Sequence, residues 1–373
     1  MDKVKILHVL PHISIGGINR FVLDLCYFQS QHTEVEVGIY IASKDNAHWK
    51  HLLDKIKGVK VYWGNFKAFD LNPFHYRDFI KVKSNYDIVH WHVFIPIMAL
   101  CTFFDNKSHI FTHHSVIGAG RVPKRTDKIK WFLFKEWVNL RLTCEVYNSR
   151  FTKDFWQNYG LKAKYNRLIY NGMNFETMDI SLKKEQQSKL NISFLNNFVV
   201  GTSSNFIKLK RIDILIRAFA KWAKGKCDVL LLLVGDGNEM NNLRQLVNQQ
   251  GIEKKVCFAG HQSNPTVYQK LMDICVFPSV NETFGLAALE CMHLGKPTLC
   301  MHDGGGLCEV VGDVRNILNT EEEIVARMDY YYHLKNEGKM NESSIFEKRS
   351  ELFNMKYKTI EYLRLYEDMK KVK

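Results

Sequence analysis

The chain of 373 residues is 46% hydrophobic and 24% charged, which excludes a disordered segment and leaves room for two domains of ordinary size. Its formal charge of +13 calls for an anionic partner: phosphates, nucleic acid or a membrane surface. Nine scattered cysteines without a C-x-x-C pair exclude a disulfide framework and read as reduced, buried thiols.

Charge is unevenly spread. Residues 1–175 carry 25 Lys+Arg against 14 Asp+Glu, and the remainder 27 against 25, so the two halves should face different partners. The first apolar run is too short for a signal peptide and ends in glycines. The longest, 93–104, contains Pro96 and is too short to cross a bilayer. A cytoplasmic chain without a transmembrane helix is expected.

Along the chain, short β-rich runs alternate with amphipathic helical stretches. Strands are predicted at 4–10, 34–42, 59–63, 86–92, 109–114 and 144–149, and again at 198–204, 228–237, 255–260, 273–279 and 297–303. Continuous apolar runs that end in Gly, Ser or Asn suit strands covered on both faces, so parallel sheets built from βαβ units follow. The polar segment 173–196 separates the halves. The segment 344–371 is predicted as one long helix from its apolar spacing. Ligands of such sheets bind beyond the carboxyl ends of the strands, so the motifs there matter most.

Gly16-Gly17 follows the first strand. Histidines end the fourth and fifth, as His90 and His92 in "VHWH" and His113 and His114 in "FTHH". A His-x-His pair suggests a metal, but no third ligand at a metal-like spacing lies nearby and Asp-x-Asp is absent. The segment 121–142 mixes seven Lys/Arg with aromatics and only two acids. Lys124, Arg125, Lys128, Lys130, Trp131 and Trp137 fit an anionic bilayer surface. The same pattern also fits a core-facing aromatic stripe with a solvated basic face, and it carries no nucleic-acid recognition motif.

In the second half, "PSVNETFGLAALECMHLGKP" runs from a strand end through a loop into a helix. Helix start near Phe284-Gly285-Leu286 would offer free N–H groups to an anion, and Gly285 permits close approach. Two acids around a phosphate site, Glu282 and Glu290, suit hydroxyl groups on either side of it.

The whole string P-S-x-x-E-x-F-G-x-x-x-x-E-x-x-x-x-G-K-P resembles the retaining glycosyltransferases of family 4. The resemblance extends over nearly the whole chain. "SNFIKLKRIDILIRAF" (204–219), "LVGDGNE" (233–239), "VCFAGHQSN" (256–264) and Thr112-His113-His114 carry it further. It implies an α/β GT-B fold: two facing Rossmann-like domains with a cleft between them. The domains would be 1–175 for the acceptor, 176–355 for the nucleotide sugar, and a helix 356–373 returning to the first. It implies catalytic roles for Glu282, Lys210 and His114. Lys210 would hold the donor diphosphate, His114 would lie near the reacting sugar, Glu282 would hold that sugar and Glu290 the ribose. Gly16, Gly17, Asn205, Thr283, Phe284, Gly285 and Leu286 complete the implied donor site. Asn205 stands where the family often has Arg.

The expected activity is transfer of a sugar from a UDP- or GDP-sugar, with retention, to a glycan or lipid-linked glycan in cell-envelope polysaccharide synthesis. It would need no cofactor and no metal, and would work on the inner face of an anionic membrane without nucleic acid. Alternatives are an epimerase or hydrolase on the same fold, or a non-catalytic membrane-associated binding protein.

Overall fold

A computed structural model describes residues 3–14, 16–44, 47–66, 72–103, 105–117, 125–178 and 197–372. The chain divides into two compact units, Met1–Asn174 with Phe353–Lys373, and Phe175–Leu352.

The first unit holds a seven-stranded parallel sheet in the order β3-β2-β1-β4-β5-β6-β7. Its strands are β1 Val4–Leu10, β2 Val35–Ile41, β3 Lys60–Trp63, β4 Ile88–Trp91, β5 Ser108–His113, β6 Cys144–Tyr147 and β7 Tyr165–Leu168. Successive side chains point to opposite faces of a strand. Accordingly Ile6, Ile39, Ile88 and Ile110 pack on one face with Phe21 and Leu25 of the helix Gly17–Gln29. Leu7, Tyr40, Val89, Trp91 and Phe111 pack on the other with Phe79, Phe134, Trp137 and Trp156. Both faces are covered, which explains the unbroken apolar runs.

Strand β7 was not expected. Its "YNRL" is an edge strand with Asn166 and Arg167 exposed, so it lacks the apolar signature of its neighbours.

The second unit holds a six-stranded parallel sheet in the order β10-β9-β8-β11-β12-β13. Its strands are β8 Phe198–Ser203, β9 Val229–Val234, β10 Val256–Gly260, β11 Ile274–Phe277, β12 Thr298–Met301 and β13 Ile317–Leu318. The two-residue β13 is too short to leave a periodic signal. In each sheet the strand order reverses beside the first strand, β1 or β8, and open α/β sheets bind ligands at that switch.

The segment 344–371 is not one helix, contrary to expectation. It forms Ser343–Glu351 in the second unit and Met355–Lys371 in the first. Between them the Phe353 carbonyl accepts from Met173 N, and Met355 N donates to the Met173 carbonyl. Asn354 then caps the last helix, its side chain accepting from Lys356 N. The last helix buries Met355, Tyr362 and Tyr366 in the core of the first unit.

Candidate functional site

In the second unit, the loops beyond β8 and β9 are pressed together. Gly235 has φ 137°, and a Cβ there would collide with the Ser204 carbonyl oxygen, so only glycine fits. Phe206 N donates to Asp236 O at 2.8 Å, and the Phe206 carbonyl accepts from Glu239 N at 2.9 Å. Asn205 lies exposed on this loop. A 3-10 turn, Lys208–Lys210, follows.

Arg211 comes next in the left-handed region, at φ 44°. Its guanidinium makes a two-pronged contact with Asp303 at 2.8 and 2.5 Å, and its Nε donates to the Pro278 carbonyl at 2.7 Å. Planar, two-pronged pairing of this kind fixes geometry as well as charge. It ties the turn that carries Lys210 to the loops after β11 and β12.

Backbone pairing continues the tie. Val280 N donates to Leu209 O at 2.9 Å, Asn281 N to Asp303 O at 3.0 Å, and Glu282 N to Gly304 O at 3.1 Å. Gly306 N returns to Glu282 O at 2.8 Å. Glu282 is thus fixed by its backbone, and its carboxylate forms an ion pair with the Lys210 ammonium. The two side chains are 23% and 21% exposed, so both are reachable from solvent.

Gly285 begins the helix Leu286–His293 at φ 102°, and a Cβ there would lie 2.6 Å from Leu307 Cδ1. The first-turn amides of a helix have no intrahelical acceptor and carry the positive end of its dipole. Just before them in the chain, Thr283 is half-buried and Phe284 buried. Glu290 sits deeper than Glu282. It is buried and accepts from Gln269 Nε2 at 2.8 Å.

In the first unit, Gly16 leads the helix Gly17–Gln29. Two residues in, Asn19 Nδ2 donates to Ser14 Oγ at 3.0 Å, while its Oδ1 is buried with no hydrogen-bond partner among the described residues. Strands β1, β4 and β5 lie side by side, with His8 in register with His90. His8 Nδ1 lies 2.9 Å from His92 Nε2, and His92 Nδ1 lies 3.1 Å from His114 Nε2.

The third imidazole thought absent is therefore present. It is His8 on β1, distant in sequence and adjacent in the sheet. The ligand atoms of His8, His90 and His92 lie within 4.8 Å of one another. Each ring nitrogen of the three already has a partner: Gln29, Tyr366, Thr112, His114 or one another. Burial, the larger cause at each, pushes His8 down to about 4 and, with the neighbouring His113, His114 down to about 3. Burial and neighbouring histidines hold His90 and His92 well below the ordinary value. Three buried imidazoles and the half-buried His114 are therefore neutral together.

The basic helix is Arg125–Arg141. The aromatic assignment made from sequence needs correcting here. Trp137 is 2% exposed and donates to Thr102 Oγ1 at 3.0 Å. Trp131 is partly buried against Phe134 and Trp156. The largest rings were drawn into the core, and smaller apolar residues took the surface. Ile129, Phe132, Leu133 and Leu140 are 62%, 60%, 46% and 70% exposed. Arg125 and Lys128 are exposed and Lys130 half-buried, while Lys124 lies outside the described residues. No helix among the described residues is long and apolar enough to cross a membrane.

Sequence reasoning missed Arg211, Asp303 and the Gly304-Gly305-Gly306 run that grips Glu282. The glycine run at the end of β12 was the available signal, of the same kind as Gly16-Gly17 after β1.

Two family profiles match the chain: Glycosyltransferase Family 4 over residues 15–177 and Glycosyl transferases group 1 over residues 183–345. N-acetyl-alpha-D-glucosaminyl L-malate synthase of Bacillus anthracis is 30% identical over 310 residues, 78% of each chain. A capsular polysaccharide biosynthesis glycosyltransferase, CapH of Staphylococcus aureus, is 22% identical over 299 residues, 78% of this chain and 79% of the relative. Among solved structures, Anabaena HepE in complex with UDP and glucose superposes with a TM-score of 0.79. It is 20% identical and the match covers 98% of this chain and 100% of that one.

Proposed function

The chain belongs to glycosyltransferase family 4, and on that premise we propose that it moves a sugar from a UDP-sugar to a hydroxyl of a glycan or lipid-linked glycan, with retention. One observation carries the proposal: the Lys210–Glu282 ion pair, held by Arg211–Asp303 beside the helix start at Gly285. A cation and a row of amides suit a leaving diphosphate, and a reachable carboxylate suits sugar hydroxyls. HepE, the structural neighbour solved with UDP and glucose, supports the choice of nucleotide. The relative that makes capsular polysaccharide supports the choice of acceptor.

In the proposed reaction the bond from the anomeric carbon to the diphosphate breaks, and the diphosphate leaves with the electron pair. The acceptor oxygen bonds the same carbon on the same face, and its proton passes to a phosphate oxygen. Lys210 and the first-turn amides stabilise charge as it develops on the leaving group. When the ammonium turns to phosphate, Glu282 is released to orient the sugar. Glu290 is assigned to the ribose hydroxyls, Gly16, Gly17 and Asn205 to the phosphates through hydrogen bonds, and His114 to a sugar hydroxyl. No step needs a metal. A panel of nucleotide sugars scored by thermal shift selects the donor, because bound ligand raises stability by mass action. Chromatography of the labelled product then decides: a glycosylated acceptor is expected, and free sugar or an epimer alone overturns the reading.

Membrane association is part of the same proposal. Ile129, Phe132, Leu133 and Leu140 recur at helical spacing, with Arg125 and Lys128 exposed on the same helix. An apolar strip with basic neighbours favours a surface bearing anionic lipid.

A further inference from the structure

Strand β12 and the helix Gly306–Val311 each bring a cysteine to the turn that grips Glu282. Cys300 is buried on the strand, and Cys308 is half-buried on the helix. Both are free thiols, and their sulfurs are 4.0 Å apart. As a thiol, Cys308 also donates to the Met301 carbonyl at 3.1 Å. Gly304 packs against the same sulfur, since a Cβ there would lie 3.4 Å from Cys308 Sγ. The residues between the two cysteines include Asp303, which pairs with Arg211, and Gly304 and Gly306, which hold the Glu282 backbone from both sides. A bond between the sulfurs would close a short ring through the backbone that fixes Glu282.

We propose that Cys308 and Cys300 are an oxidation site, where hydrogen peroxide converts the pair to a disulfide and displaces Glu282; the effect on transfer rests on the role proposed for Glu282 above. Cys308 is the thiol that peroxide meets first, because Cys300 is shut off from water. The sulfur contact shifts the two thiols in opposite directions. It holds Cys308 below its ordinary value although burial opposes this, and together with burial it raises Cys300. The Cys308 thiolate attacks one peroxide oxygen, the O–O bond breaks, and Cys308 becomes a sulfenic acid as hydroxide leaves. The Cys300 sulfur then bonds to the Cys308 sulfur, the S–O bond breaks, and the Cys300 proton leaves with that oxygen as water. The hydroxide recovers the proton that Cys308 gave up, so two thiols lose two electrons and one peroxide becomes two waters. Contact between the sulfurs must shorten to a covalent bond, a closure of about 2 Å. Strand β12 is paired on both sides, with β11 and β13, so the glycine turn and the helix start are what yield. Gly304 and Gly306 pass the movement to Glu282, where a misplacement on the order of 1 Å can cost about a hundredfold in rate.

The test treats the full chain with hydrogen peroxide, alkylates the remaining thiols and maps the unreduced peptides by mass. A peptide spanning 300–308 is expected, lighter by two hydrogens and closed to alkylation at both cysteines. With the donor that the panel selects, kcat/KM should fall about tenfold or more and return on reduction with dithiothreitol. Cys308→Ser replaces a half-buried thiol by a hydroxyl of similar shape, and its rate should be indifferent to peroxide. In Cys300→Ala, Cys308 should run on to the sulfinic acid, because no neighbouring thiol intercepts the sulfenic acid there. A parent Cys308 that ends as sulfinic acid or stays a free thiol overturns the proposal, as does equal inactivation of Cys308→Ser. Bridged protein with kcat/KM within about twofold of the reduced form overturns the link to Glu282. A separate measurement isolates the premise: Glu282→Gln at the parent's rate refutes the sugar role of Glu282 and leaves the mass result standing.

Discussion

Replacing Glu282 by Gln separates the structural from the chemical part of the ion pair. Lys210 and Glu282 are each about one-fifth exposed. A pair of that exposure contributes ~0.2–1 kcal/mol to stability, since water screens it and two side chains must be held still. For a unit of this size that is a fall in Tm of roughly 0.4–4 °C. Backbone ties from Glu282 to Gly304 and Gly306 do not depend on the carboxylate and should survive. The chemical loss is larger. A hydrogen bond to a charged acceptor is worth about 1.5–3 kcal/mol, which corresponds to about ten- to 150-fold in kcat/KM. Affinity for the nucleoside diphosphate alone should hold or rise, because Lys210 no longer divides its charge between carboxylate and phosphate. The assays are thermal melting, calorimetric titration with the diphosphate, and initial rates with the donor that the panel selects. A kcat/KM within threefold of the parent, with the fold intact, refutes the assignment of Glu282 to the sugar. A Tm loss beyond about 10 °C refutes the claim that the pair is a minor structural contact.

Turnover should be unchanged after EDTA treatment and dialysis, measured as initial rate against an untreated sample; loss restored by a divalent cation refutes metal-free transfer. Replacing Ile129, Phe132 and Leu133 by Ser should abolish co-sedimentation with vesicles rich in anionic lipid while Tm stays within a few degrees, because these side chains are already in solvent. Changing Arg125 and Lys128 to Glu should act in the same direction and lose its effect in high salt. Stability should fall on acidification well above the carboxylate range. In the native state His8, His90, His92 and His114 stay neutral far below 6.5, while in the unfolded chain they take up protons near that value. The unfolded state then binds more protons, so stability is fully present above about pH 6.5 and is lost as pH falls toward 4. Each such ring contributes about 1.4 kcal/mol per pH unit in that window, and urea midpoints from pH 7.5 to 5.5 measure the slope. A flat profile refutes the neutral network.

Strands of the sheet interiors were legible because burial on both faces demands unbroken apolar runs, as in β1, β8 and β9. Edge strands such as β7 escape that demand and were missed. The start of the helix at Leu286 was legible because Gly285 and the following apolar run are local signals. What was not legible depends on contacts between distant segments. His8 joins His92 only because β1 and β4 are neighbours in the sheet, although they lie far apart in sequence. Arg211 looks like any helix-start arginine until β12 brings Asp303 to it. Trp137 shows how composition misleads: a basic, aromatic helix does not say which of its rings turn inward.

The break at Phe353 bears on how the protein is made. The first unit owns residues at both ends of a long insertion, and its buried groups wait for the later ones. His90 and Gln29 bond to Tyr366, and Ser108 Oγ donates to the Met369 carbonyl. Residues 353–372 are synthesised after the whole of the second unit. Domains usually fold in the order in which they leave the ribosome. Here the order is reversed in part: the second unit can close while the first still lacks the helix that covers one face of its sheet. During that interval the histidine network stands open to water, and the apolar residues that Tyr362 and Met355 will cover are exposed. Chaperone contact during synthesis should therefore concentrate on the first unit and end when the last helix docks.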